Sequence, residues 1–130
     1  MSKILIVDDS MTSRMDLRKV LEEDGNYQVI EAVDGEDAIN VYKDNLDVNL
    51  VICDFHMPKL DGLGAISGIF AEAPDGRVPS LLLTTESSSQ LRQQGREIGV
   101  MGWILKPFEK KALLVAIKMI LDKEASKSSA

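Results

Sequence analysis

Asp54 is the residue whose setting first suggests chemistry. It follows Leu50-Val51-Ile52-Cys53 and precedes Phe55-His56-Met57-Pro58. A continuous apolar run with β-branched members reads as a strand buried on both faces. Its end delivers a carboxylate to the rim of a sheet, where open α/β sheets bind ligands. An aspartate in that position is by itself a turn former; its company gives it weight. Ile4-Leu5-Ile6-Val7 runs into Asp8-Asp9-Ser10, residues 78–83 run into Thr84-Thr85-Glu86, and residues 102–105 run into Lys106-Pro107. Carboxylates brought close repel one another, and a hard divalent cation such as Mg²⁺, which takes oxygen ligands, is the natural compensation. Lysine adds a compact charge suited to a carboxylate or a phosphoryl oxygen, and threonine a hydroxyl donor for another such oxygen. A carboxylate nucleophile, a cation and a lysine are the minimum for phosphoryl transfer through an aspartyl phosphate.

These residues meet only if the intervening chain places them. Ser10, Thr12 and Ser13 offer caps for a helix with Leu17, Val20 and Leu21 as its inward stripe, ending near Asp24-Gly25-Asn26. Residues 27–32 alternate as a strand, Asp34-Gly35 turns the chain, and Ala38, Val41 and Tyr42 give the next helix its apolar face. Pro58 to Gly62 makes a turn and a helix start, with Leu63, Ile66 and Phe70 at helical spacing. A polar helix over 88–98 carries Gly95 inside it, at a cost of about 1 kcal/mol relative to alanine. The last helix covers 109–123, with Leu113, Ala116, Ile117, Ile120 and Leu121 inward and Leu114, Val115 and Met119 on other faces. Strand and helix alternate five times, which predicts a parallel sheet with helices on both faces. Right-handed crossovers then bring every strand's C-terminal end to one edge. Asp8, Asp9, Asp54, Thr84 and Lys106 form one site.

The bulk numbers exclude several classes. The 130 residues suit one domain, and 45% hydrophobic with 28% charged residues is ordinary for a globular chain. No apolar run approaches a membrane span or a signal peptide. The net charge of −6 argues against nucleic acid and for protein or cation partners. One cysteine, Cys53, excludes an intrachain disulfide and fits a reducing cytoplasm. With one histidine and one cysteine there is no zinc site.

The ordered motifs resemble the receiver domain of two-component response regulators, in particular the stand-alone chemotaxis (CheY-like) type. They are the acidic pair Asp8-Asp9, Asp54, Met57-Pro58-x-x-Asp61-Gly62, Thr84 and Lys106-Pro107-Phe108, spread over residues 3–122. The resemblance implies a flavodoxin-like fold with strand order 2-1-3-4-5. A receiver domain then covers residues 1–124, and residues 125–130 form a disordered tail. It implies phosphorylation of Asp54 by a sensor histidine kinase, with Mg²⁺ on Asp9, Asp54 and the His56 backbone carbonyl, and Asp8 acting mainly through water. Thr84 and Lys106 would hold the phosphoryl group, and Thr84 with Trp103 would form a switch in which the ring turns inward. The Lys106-Pro107 bond is often cis in such domains. Such a chain is a phospho-acceptor that assists its own phosphorylation and dephosphorylation, and does not turn over substrate. Its partners are a kinase, a phosphatase and a downstream target such as a flagellar switch, met through the face of the fourth helix, fifth strand and fifth helix.

Some positions depart from that pattern. Trp103 stands where tyrosine or phenylalanine is usual, and Thr85 where a small residue is usual; Thr85 either crowds a phosphodonor or does nothing. The resemblance implies that His56 and Glu86 are rim positions with a modulating role. A protonated His56 would weaken Mg²⁺ and slow the attacking water, or else be a solvated loop side chain. A relay intermediate or phosphate sink serving a histidine phosphotransfer protein, and a non-phosphorylated binding scaffold, are the alternatives. A phosphatase of the haloacid-dehalogenase type needs Asp-x-Asp after the first strand, which Asp8-Asp9-Ser10-Met11 lacks.

Overall fold

Side chains along a strand alternate between faces, and here both faces are apolar, so the strands can form only the middle layer of a sandwich. The computed structural model describes residues 1–86 and 88–128, without the side chains of 126–128. Its strands are β1 (Lys3–Val7), β2 (Gln28–Ala32), β3 (Leu50–Asp54), β4 (Ser80–Thr84) and β5 (Gly102–Leu105). They form one parallel sheet in the order β2-β1-β3-β4-β5, as expected. Ile4, Ile6, Leu50, Ile52, Leu81 and Leu83 point to one face. They pack against Leu17 and Leu21 from the first helical segment and against Leu113, Ile117 and Ile120 from the last. Leu5, Val7, Val51, Cys53 and Leu82 point to the other face, against Tyr42, Ile66, Ile69, Phe70 and Leu91.

The helices are α1 (Met11–Lys19), α2 (Gly35–Lys43), α3 (Gly62–Glu72), α4 (Ser89–Ile98) and α5 (Lys110–Ser128). Side-chain caps start four of them. Ser10, Asp34, Asp61 and Ser88 each accept from the N–H three residues on, which satisfies donors the helix cannot. α1 does not simply stop at its breaker cluster. It widens over Val20–Asp24 into a turn in which the Gly25 N–H reaches the Val20 carbonyl at 3.1 Å, and Asn26 then takes a left-handed φ of 57°.

Two boundaries differ from the sequence expectation by more than one residue. β4 begins at Ser80 and not at residue 78, because Pro79 has no N–H for the ladder; its carbonyl still accepts from the Val51 N–H at 2.9 Å. α5 runs to Ser128, so residues 125–128 of the expected disordered tail are helical, and residues 129–130 lie outside the described residues. Good helix formers such as Lys123, Glu124 and Ala125 carry the helix on, and Glu124 ties it to Arg77 at 3.0 Å. Of the three outward positions read for α5, Val115 and Met119 are exposed, whereas Leu114 is half-buried and packs against the core that holds Leu17 and Leu113. Among the described residues no helix is long and apolar enough to cross a membrane.

Candidate functional site

Parallel pairing sets the Val7 end of β1 beside Cys53 and Asp54 beside Leu83. Asp8, Asp9 and Asp54 are brought together: one oxygen of each carboxylate lies within 4.8 Å of the others. Asp8 and Asp54 are buried, while Asp9 is exposed. Lys106 enters from the end of β5 and bridges the two buried acids, its Nζ 3.0 Å from Asp8 Oδ2 and 3.3 Å from Asp54 Oδ1. The Lys106-Pro107 peptide bond that precedes α5 is cis.

The electrostatics follow from that arrangement. Burial pushes the Asp54 carboxyl above its ordinary range; Lys106 pulls against this, and Asp8 pushes the same way as burial. Burial also opposes charge on Lys106, but the hydrogen bond and fields of Asp8 and Asp54 outweigh it and hold the ammonium above its usual value. Burial pushes the thiol of Cys53 far up, so it is an inert core group.

Asp54 therefore carries a stability cost. A carboxyl raised in the folded state binds more protons than in the unfolded chain, so stability falls as pH rises from the unfolded value through the folded one. Asp54→Asn removes a buried charge and its repulsion. Metal-free stability at pH 7 is expected to rise by about 1 kcal/mol, with the gain gone below about pH 3, where the carboxyl is protonated in both states. Thermal melts in chelator across that pH range check this; a loss of stability at pH 7 would show that the Lys106 pairing outweighs desolvation.

Thr84 and Trp103 are linked through a residue whose reach the sequence did not show. The buried Thr84 hydroxyl oxygen accepts from the Glu86 N–H at 3.0 Å, and the Glu86 carbonyl accepts from Trp103 Nε1 at 3.4 Å. The Glu86 carboxylate lies 3.5 Å from His56 Nε2, a pair across the rim with both side chains about half exposed. Trp103 itself is half-buried on the α4 side, with the Arg92 guanidinium 5.9 Å from its ring centroid. It lines a cleft of about 240 Å³ with Arg92, Gly95, Arg96 and Val100. Thr85 is exposed and lines a separate groove with Ser13, Val20, Lys106 and Phe108. Sequence reasoning also missed Arg14, whose Nη1 donates to the Asp8 carbonyl at 2.7 Å. The available signal was a cation one helical turn after the acidic pair.

An all-oxygen donor set on three converging carboxylates fits a hard divalent cation. Comparison with known proteins agrees with the fold. The family model described as "Response regulator receiver domain" matches residues 4–118. "Probable chemotaxis protein CheY" of Rhizobium etli is 32% identical over 118 residues, covering 91% of each chain. "Probable transcriptional regulator ycf27" of Porphyridium aerugineum is 39% identical over 127 residues, 98% of this chain but 51% of that relative, so the chain spans about half its length. The chemotaxis protein CheY4 of Vibrio cholerae superposes with a TM-score of 0.86 at 32% identity, covering 92% of this chain and 98% of that one. This chain belongs to the response regulator receiver domain family, with CheY proteins among its relatives.

Proposed function

We propose that the chain is a phospho-acceptor of a two-component pathway. Asp54 takes a phosphoryl group from the phosphohistidine of a sensor kinase in the cytoplasm, and the modified protein signals by binding a downstream protein, in chemotaxis a flagellar switch component. The observation that carries this reading is the bridge of Lys106 Nζ between Asp8 and Asp54, beside three clustered carboxylates. Asp9, Asp54 and the His56 backbone carbonyl would hold Mg²⁺, with Asp8 acting through water. The ion would supply positive charge to the phosphoryl oxygens.

The chain's own groups account for the rest. An Asp54 carboxylate oxygen forms the new P–O bond as the P–N bond of phosphohistidine breaks, and the imidazole leaves with the electron pair and takes up a proton. Lys106 already stands within 3.3 Å of Asp54 Oδ1, in position to meet an oxygen of the incoming group. Thr84 uses its oxygen as an acceptor for the Glu86 N–H and keeps its hydroxyl proton free to donate. Turning that hydroxyl toward a phosphoryl group would release Glu86, whose carbonyl holds Trp103. The event at Asp54 would thus be read on the α4–β5–α5 face, where Leu105, Val115 and Met119 are exposed. Such a protein changes state once per phosphoryl group and is not a turnover enzyme.

Intact mass after incubation with Mg²⁺ and acetyl phosphate tests the reading, with Trp103 fluorescence followed in the same sample. A phosphoryl adduct is expected only when both Mg²⁺ and Asp54 are present, absent from Asp54→Asn, with a concurrent change in emission. No adduct together with no Mg²⁺ binding would overturn the reading in favour of a binding scaffold.

A further inference from the structure

Asp8 is held at every polar corner. Its N–H donates to the Ala32 carbonyl at 3.3 Å, its Oδ1 accepts from the Ser10 N–H at 2.9 Å, and its Oδ2 accepts from Lys106. Its own carbonyl accepts from Arg14 Nη1 at 2.7 Å. That last bond is braced from outside the site. Arg14 Nε donates to Glu31 Oε1 at 3.1 Å, and Arg18, one turn further along α1, donates to the other Glu31 oxygen and to Glu22. Glu31 on β2 thus anchors two arginines of α1, and the nearer one is 12% exposed and reaches back to the carbonyl of Asp8.

A peptide unit is planar. A clamp on the Asp8 oxygen therefore fixes the plane that carries the nitrogen and Cα of Asp9, and with it the point from which the exposed Asp9 side chain departs. A guanidinium bonded through two of its nitrogens is held in a rigid fork. We propose that Arg14 is a positioning residue: braced by Glu31, it sets the Asp8–Asp9 peptide so that Asp9 converges with Asp54 on the cation. This inference rests on the Mg²⁺ reading above. Arg14 acts through the backbone alone and touches neither the ion nor the phosphoryl group.

Charge and position predict opposite results, which makes the test sharp. Removing a cation beside a Mg²⁺ site should tighten the ion if charge alone matters, whereas losing the clamp should loosen it. Arg14→Met is expected to raise the Mg²⁺ Kd about 10-fold, the usual scale for partners that orient a metal ligand. Arg14→Lys, which keeps the charge and loses the fork, is expected to raise it about 3-fold. The Kd is read from Mg²⁺ titrations of Trp103 fluorescence and of melting temperature on the full chain. Without metal, amide exchange at Ser10, referenced to the core amides of β3, is expected to speed about 10-fold in Arg14→Met as Asp8 loosens. An unchanged or lower Kd in Arg14→Met, or a wild-type Kd in Arg14→Lys, would overturn the proposal, as would unaltered Ser10 exchange. A wild-type chain that gives no Mg²⁺ response would count against the receiver reading, and the metal-free Ser10 comparison would still decide whether the clamp exists.

Discussion

Lys106→Met is expected to lower metal-free stability by about 3–5 kcal/mol, the usual cost of stranding a buried charge. That corresponds to a melting temperature lower by about 10–20 °C for a domain of this size. Asp8 is 1% exposed and Asp54 is 7% exposed, so neither carboxylate can recover its hydration when the lysine is gone. Nor does methionine replace the bonds at 3.0 and 3.3 Å. The wild-type pair also sets a pH dependence. The folded-state ammonium is raised above its usual value, so its contribution is complete below the unfolded lysine value and disappears as pH climbs through the folded one. An alkaline limb is thus expected in wild type and is missing in Lys106→Met. Adding Asp54→Asn to Lys106→Met should restore part of the loss, because one of the two stranded charges is then absent. Urea midpoints in chelator measure all three proteins. A single-variant loss under about 1 kcal/mol would mean that the pair behaves as a surface ion pair and that water reaches both carboxylates.

The meeting of Asp8, Asp54 and Lys106 could be read from the sequence because it depends on periodicity alone. Each residue ends an apolar run, parallel strands end on one side, and 98 positions of separation between Lys106 and Asp8 vanish at a sheet edge. Strand order was different. Alternation requires a parallel sheet but leaves its permutation open, and 2-1-3-4-5 came only with the family resemblance. Bonds made through the backbone left no compositional mark. Glu86 joins Thr84, Trp103 and His56 through its N–H, its carbonyl and its carboxylate in turn, yet only the carboxylate is visible in a string of residue types. The clamp of Arg14 on the Asp8 carbonyl was hidden for the same reason. The widened turn at Val20–Asp24 was hidden as well, since Leu21 is buried just as an ordinary helix would bury it.

Gly62 shows how much of a motif's meaning lies in packing, and Gly62→Ala is expected to damage the site more than the fold. The residue opens α3, directly after its cap Asp61, and its N–H donates to the Phe55 carbonyl at 2.9 Å. An added Cβ would lie 2.6 Å from the Asp54 carbonyl oxygen, 2.8 Å from the Phe55 Cα and 2.9 Å from a methyl of Leu82. Leu82 can rotate away, but the two backbone atoms cannot yield without carrying the Asp54 side chain with them. Overpacking of this kind costs about 1–3 kcal/mol, and with backbone on two sides the upper end is expected. The functional loss should be larger in proportion: a displacement of the nucleophile on the order of 1 Å costs about 100-fold in rate. Gly95→Ala serves as the control. Its Cβ would meet the Trp103 ring at 3.4 Å, an ordinary contact, and alanine should return about 1 kcal/mol of helix propensity. Stability from urea unfolding and the acetyl phosphate labelling rate, measured side by side, separate the two glycines. If Gly62→Ala labelled Asp54 at the wild-type rate, α3 would have to move off the sheet freely, and the close seat of Gly62 on the Asp54 backbone would not be what holds the phospho-acceptor in place.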